Sequence, residues 1–115
     1  MKKDDSVFLR HMLDAIHQVN GYLSGITRDQ FLQQKIVQDA VVRQLEIIGE
    51  AANNLSVGLR ETHPEVTWGQ IIGMRNRLIH AYFQVDLDIV WEVARVDLPQ
   101  LRERVEYMLE ELGAK

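Results

Sequence analysis

Apolar residues recur at steps of three and four along most of the chain, the period of a helix buried on one side. Phe8, Met12, Ala15, Ile16, Val19 and Leu23 form such a stripe, and Gly21 and Gly25 close it. A first helix is therefore predicted from about Asp5 to about Tyr22. In "ITRDQF", Thr27 stands three residues before Gln30, the spacing of a capping box, with Ile26 and Phe31 as its hydrophobic staple. This predicts a short helix bending into a longer one over about Lys35 to Leu55, where Val37, Val41, Leu45, Ile48, Ala52 and Leu55 share a face. Pro64 breaks the pattern. The start signal then recurs in "VTWGQI", with Thr67 and Gln70 as the box and Val66 and Ile71 as the staple. A last helix is predicted from a cap at Asp86 to about Leu112, kinked or broken near Arg95 to Leu98 by Pro99. Strand-like alternation is missing. The chain reads as one all-α domain, residues 1–115, an up-and-down bundle of four to five helices.

Two stretches carry polar groups that burial does not explain. Asp39, Arg43, Glu46, Glu50 and Asn53 form a second stripe on the long helix, at steps of four, three, four and three. It is either a solvated face laced by pairs such as Arg43–Glu46, or a set of groups facing a cleft. Gly49, Ala51 and Ala52 are small enough to let another helix approach. The second stretch is "MRNRLIHAYFQVD", Met74 to Asp86. At about 100° per residue, Trp68, Ile71, Ile72, Leu78, Ile79 and Tyr82 share one face, with Arg75 as its only charge. A buried arginine needs an acid beside it or a cleft before it, and Glu46 and Glu50 are the natural acids. His80 falls about 140° from Arg75, with Asn76 and Gly73. Either the helix ends or distorts near His80, or the two residues meet across two chains.

Composition narrows the setting. Hydrophobic residues are 46% and charged residues 26%, a globular balance that argues against disorder. There is no cysteine, so disulfides and thiolate metal sites are excluded and a reducing cytoplasm is expected. "MKKDDSVFLRHMLD" has no apolar segment behind its lysines, so it does not read as a signal peptide, and no apolar run is long enough to span a membrane. The formal net charge of −4 counts against broad nucleic-acid binding and leaves room for a small basic patch. His11 and His17 are six apart, the wrong spacing for two ligands on one helical face, and His63 precedes a proline in a loop. No metal or other cofactor is expected. Ser6, Ser24 and Ser56 lack organised His–acid company, and no Gly-rich phosphate loop is present.

"RNRLIHAY" resembles the R-x4-H-x-Y motif of HepT-type HEPN domains, with Arg75, His80 and Tyr82 in the named places. Asn76 matches the polar residue that often follows the arginine. "DAVVRQLEIIGEAANNLS", "HPEVTWGQIIGMRNRLIHAYFQVD" and "IVWEVARVDLPQL" also resemble that family's blocks, in order and over nearly the whole chain. The resemblance implies a helical homodimer whose two motif copies face a shared cleft, and a metal-independent ribonuclease toxin. It further implies an antitoxin partner, an MntA-like minimal nucleotidyltransferase that adds AMP to the motif tyrosine, here Tyr82.

The residues suit that chemistry. RNA carries its own nucleophile, the 2′-OH. An imidazole such as His80 suits proton transfer near neutral pH. A guanidinium such as Arg75 offers a permanent planar cation to a phosphate oxygen. The competing reading is a non-catalytic helical subunit of a nucleotidyltransferase, in which Arg75 and His80 hold a nucleotide or a partner surface. Tyr82 likewise has two readings: a modifiable residue beside the cleft, or a core aromatic on the apolar face.

Overall fold

The computed structural model of the chain describes residues 4–113. Residues 1–3 and 114–115, which include the N-terminal lysines and both ends of the expected domain, lie outside the described residues. Helix α1 (Asp5–Leu23) is capped by the Asp4 carboxylate, which accepts from Ser6 N at 2.8 Å. It buries Leu9, Met12, Ala15, Ile16, Val19 and Leu23. Gly25 then takes φ +73°, a backbone that side chains rarely tolerate, and turns the chain into α2 (Arg28–Gln33). Here the capping box forms: Thr27 Oγ1 accepts from Gln30 N at 3.2 Å and Gln30 Oε1 accepts from Thr27 N at 2.9 Å. Phe31 is fully buried behind it.

Helix α3 (Lys35–Asn54) buries Val41, Leu45, Ile48 and Ala52, the core of its predicted stripe. It packs against α1 on one side and against α5 on the other. The short α4 (Val57–Thr62) begins at Ser56, whose N–H and hydroxyl donate to the Asp5 carboxylate at 2.8 and 2.7 Å, tying it to the start of α1.

Helix α5 (Trp68–His80) begins without the second capping box. The Thr67 side chain makes no cap bond, with its backbone at φ −83°, ψ 68° rather than the extended geometry seen at Thr27. Tertiary contacts set this helix start instead. Trp68 is buried, and its indole N–H donates to the His63 carbonyl at 3.1 Å. The His63 ring is held between Glu65 at 3.2 Å and Glu111 at 3.0 Å.

After α5 comes a single 3-10 turn (Tyr82–Gln84), then α6 (Leu87–Glu92), a π-helical turn (Val93–Asp97) and α7 (Leu98–Glu111). Asp86 caps α6 as expected, accepting from Asp88 N at 2.9 Å and Ile89 N at 3.4 Å. Helical backbone is continuous from Leu87 to Glu111. The predicted disturbance before Pro99 is the π turn, in which Leu98 N donates to Val93 O, five residues back. Proline has no N–H to give, and its ring crowds the carbonyl four residues back, so a wider turn suits it. The architecture is all-α. Four long helices, α1, α3, α5 and α7, carry the bundle, and the shorter segments join them. No strand occurs among the described residues.

Candidate functional site

The site is built where α5 crosses α3. Gly49 of α3 lies against the Cβ of Arg75, so the arginine stem rests on the backbone of the neighbouring helix. The guanidinium then reaches sideways. Its Nη2 lies 2.9 Å from Glu50 Oε2, and its Nη1 donates to Asn76 Oδ1 at 3.0 Å. Its Nε is buried with no hydrogen-bond partner among the described residues. The Arg75 side chain is 28% exposed, so it is half-buried and opens onto a cleft.

Of the two acids weighed as partners, Glu50 makes the pair, whereas Glu46 binds Arg43 at 3.4 Å. Both readings of the polar stripe on α3 hold in part. Arg43, Glu46 and Glu50 line a cleft of about 180 Å³ together with Arg75, and Asp39 is tied to Lys35 at 3.3 Å on a solvated face. The stripe's last member differs. Asn54, not Asn53, lines the cleft, and it donates to the Glu50 carbonyl at 2.8 Å. Two arginines face two glutamates there, so the cleft walls balance in charge.

His80 does not line this cleft. It is the last residue of α5 and is exposed, as is Asn76. Within one chain, Arg75 and His80 thus open on different sides of one helix. Tyr82 departs from the apolar face on which an unbroken helix would have put it. Ala81 N still bonds to Arg77 O at 2.9 Å, but Ala81 itself leaves helical geometry at φ −132°, ψ 42°. Beyond that point the 100° step no longer applies, and Tyr82 is 74% exposed. The core-aromatic reading of Tyr82 is therefore wrong. Trp68 and Leu78 are the buried residues of that face.

Three residues beside the motif escaped the sequence reading. His11 of α1 lines the Arg75 cleft, where its ring meets Phe8 edge-on at 6.0 Å. Only the packing of α1 on α3 brings it there. Asn54 sits one helical turn beyond Glu50, a neighbour that spacing could have offered. Arg77 is exposed and stands three residues before His80, on the same side of α5.

A larger groove of about 390 Å³ runs between α3, α5 and α7, floored by Leu45, Ile48, Ile71 and Leu101, and none of Arg75, Asn76, His80 and Tyr82 lines it. Among the described residues no group of three or more His, Asp or Glu is placed to hold a metal ion. No helix among them is long and apolar enough to cross a membrane.

The Ribonuclease HepT-like family profile matches residues 12–108, which takes in the whole cleft except His11 and Phe8, and the motif with it. The chain belongs to the HepT-like ribonuclease family. A Thermococcus cleftensis relative named "Probable ribonuclease HepT" is 38% identical over 106 residues, 92% of this chain and 96% of the relative. A Methanocaldococcus jannaschii relative, provisionally named an RNase, is 36% identical over 105 residues, 91% of this chain and 96% of the relative. A second protein of that organism, named as a gamma-glutamylcyclotransferase and, provisionally, an RNase, is 42% identical over 112 residues. That match takes in 97% of this chain, which spans only half of that relative's length. No solved structure matches this HepT-like chain significantly.

Proposed function

We propose that this HepT-like chain is a metal-independent endoribonuclease that acts as a homodimer, with Arg75 and His80 as its catalytic residues. The observation that carries the reading is the preset Arg75. Its stem is trapped on Gly49 and two of its nitrogens are fixed by Glu50 and Asn76, while His80 is exposed at the end of the same helix. A guanidinium already oriented in a half-buried cleft stabilises charge developing on a phosphate without reorganising.

The reaction balances with these groups alone. The 2′-oxygen of RNA bonds to the adjacent phosphorus, the bond to the 5′-oxygen breaks, and a 2′,3′-cyclic phosphate remains. One imidazole takes the 2′ proton and another gives a proton to the leaving 5′-oxygen. Arg75 holds a non-bridging oxygen as negative charge accumulates. A dimer supplies two imidazoles and answers the separation of Arg75 and His80 within one chain.

Control follows from Tyr82. A partner nucleotidyltransferase of the MntA-like type would join the Tyr82 oxygen to the α-phosphorus of ATP, releasing pyrophosphate and making a toxin–antitoxin pair. Its 74% exposure makes the hydroxyl reachable. The added phosphodiester brings permanent negative charge beside groups that attract phosphate.

The test is cleavage of single-stranded RNA in EDTA by the purified chain and by His80→Ala and Arg75→Ala. Cyclic-phosphate ends from the wild type, lost in both folded variants, support the reading. Dependence on added metal, or wild-type rates in both variants, overturns it. Light scattering at micromolar concentration checks the dimer. Intact mass after co-expression with the partner, in wild type and Tyr82→Phe, checks the modification. Neutralisation without added mass would mean control by binding alone.

A further inference from the structure

Two aromatic rings stand in solvent immediately after the motif. Tyr82 is 74% exposed and Phe83 72% exposed. They meet edge to face, with centroids 5.8 Å apart and planes at 89°. The turn that carries them is fixed on both sides. Gln84 N donates to Ala81 O at 2.9 Å, Val85 and Leu87 pack against the core, and Asp86 between them caps α6. The backbone beneath the rings is thus fixed, and the rings reach from it into solvent against each other. One turn earlier on α5, Arg77 is exposed and has no ion-pair partner among the described residues. It lies on the same side of the helix as His80.

We infer that Arg77, Tyr82 and Phe83 form a binding site for single-stranded RNA next to the scissile phosphate. An unpaired base stacks on the open ring faces, and Arg77 grips a backbone phosphate. The inference rests on the ribonuclease reading and specifies how the substrate is held. Local chemistry, not net charge, argues for this occupant. With a net charge of −4 the chain has no general attraction for RNA, so affinity must come from local contacts. An exposed arginine with no ion-pair partner among the described residues, five and six residues before two exposed rings, supplies the groups that single strands use, since every base offers a π-face. Two perpendicular rings form a corner that receives a flat base. A duplex, with its bases stacked inside, would gain nothing from it.

The test measures binding of a fluorescent, fully 2′-O-methylated single-stranded oligonucleotide, which cannot be cleaved. Phe83→Ala should weaken binding about tenfold or more, the usual effect of losing one stacking ring. Phe83→Trp should bind as the wild type does, whereas Phe83→Leu should resemble Phe83→Ala. Arg77→Gln should weaken binding and reduce the salt slope by about one ion. Wild-type binding by Phe83→Leu would show that bulk suffices, and wild-type binding by Phe83→Ala and Arg77→Gln would show that the site is elsewhere. Either result overturns the inference, as does a fall in solution mass on Phe83→Ala, which would make the rings a protein interface. Unaltered binding in these variants alongside intact wild-type cleavage refutes this site alone. A wild type that neither cleaves nor binds RNA refutes the ribonuclease reading with it.

Discussion

Gly49 and Arg75 occupy space that leaves no room for one more carbon. A Cβ built on Gly49 would overlap the Arg75 Cβ and stand 3.1 Å from the Ile71 carbonyl oxygen. Neither is the loose end of a flexible chain, so relief requires α5 to move away from α3. The glycine thereby sets the depth at which the motif arginine lies, one residue from the acid that orients it.

Gly49→Ala is therefore expected to destabilise the fold, although alanine is the better helix former by up to about 1 kcal/mol. Overpacking costs about 1–3 kcal/mol and outweighs that gain. The unfolding midpoint should fall by several degrees, with RNA cleavage reduced beyond what the lost folded fraction explains. Thermal unfolding and rate measurements on the same preparation check both parts.

The Arg75–Glu50 pair predicts a split between stability and activity. Glu50 is about half exposed, so Glu50→Ala should cost at most about 1 kcal/mol of stability. The arginine loses its orientation, however, and small misplacements at a reacting centre cost up to about a hundredfold in rate. We expect kcat to fall at least about tenfold with KM changed less. Glu50→Gln, which keeps an acceptor oxygen, should recover much of the rate.

The two Thr-x-x-Gln stretches predict opposite results. Thr27→Ala removes a formed capping box and should cost about 1 kcal/mol. Thr67→Ala removes no cap bond and should stay within about 0.5 kcal/mol of wild type. Chemical denaturation of the two variants side by side is sufficient. The pair also marks where sequence legibility stopped. Both stretches read alike as local signals, and both do precede helices. Which one closes its hydrogen bonds depends on Trp68 and His63, whose mutual contact no local pattern encodes. Arg75 and its acid were legible because a charge on an apolar stripe demands a partner. The apolar face does not reach Tyr82, because the helical period ends with α5 at His80, and a 3-10 turn leaves no mark in a hydrophobic stripe. His11 was out of reach, since its place in the cleft follows only from how α1 packs.

Acid should weaken one contact selectively. The Glu65 carboxyl is held below the ordinary glutamate range, chiefly by its own backbone N–H and in smaller part by His63, with desolvation opposing. A lowered pKa means stability that is present above the ordinary value and lost as pH falls through the folded one. The advantage of wild type over Glu65→Gln should hold at about pH 6 and shrink as pH drops below about 4.3. Denaturation midpoints at a series of pH values test this, and a constant difference would contradict it.

The π turn at Val93–Asp97 is, in effect, a single inserted residue absorbed without breaking the helix. An α-helix advances about 1.5 Å and turns about 100° with each residue. Forcing these five into α geometry with no residue removed would rotate everything beyond them by that angle. Leu101, Val105 and Met108, now buried, would swing out of the core and polar neighbours would turn in. Deleting one of the five, by contrast, would let the rod close with the residues beyond it facing as they do now. The segment is thus a phase adjuster. It lets one continuous rod obey two registers, that of α6 against α2 and that of α7 against α1, which no uninterrupted α-helix of the same sequence could satisfy together.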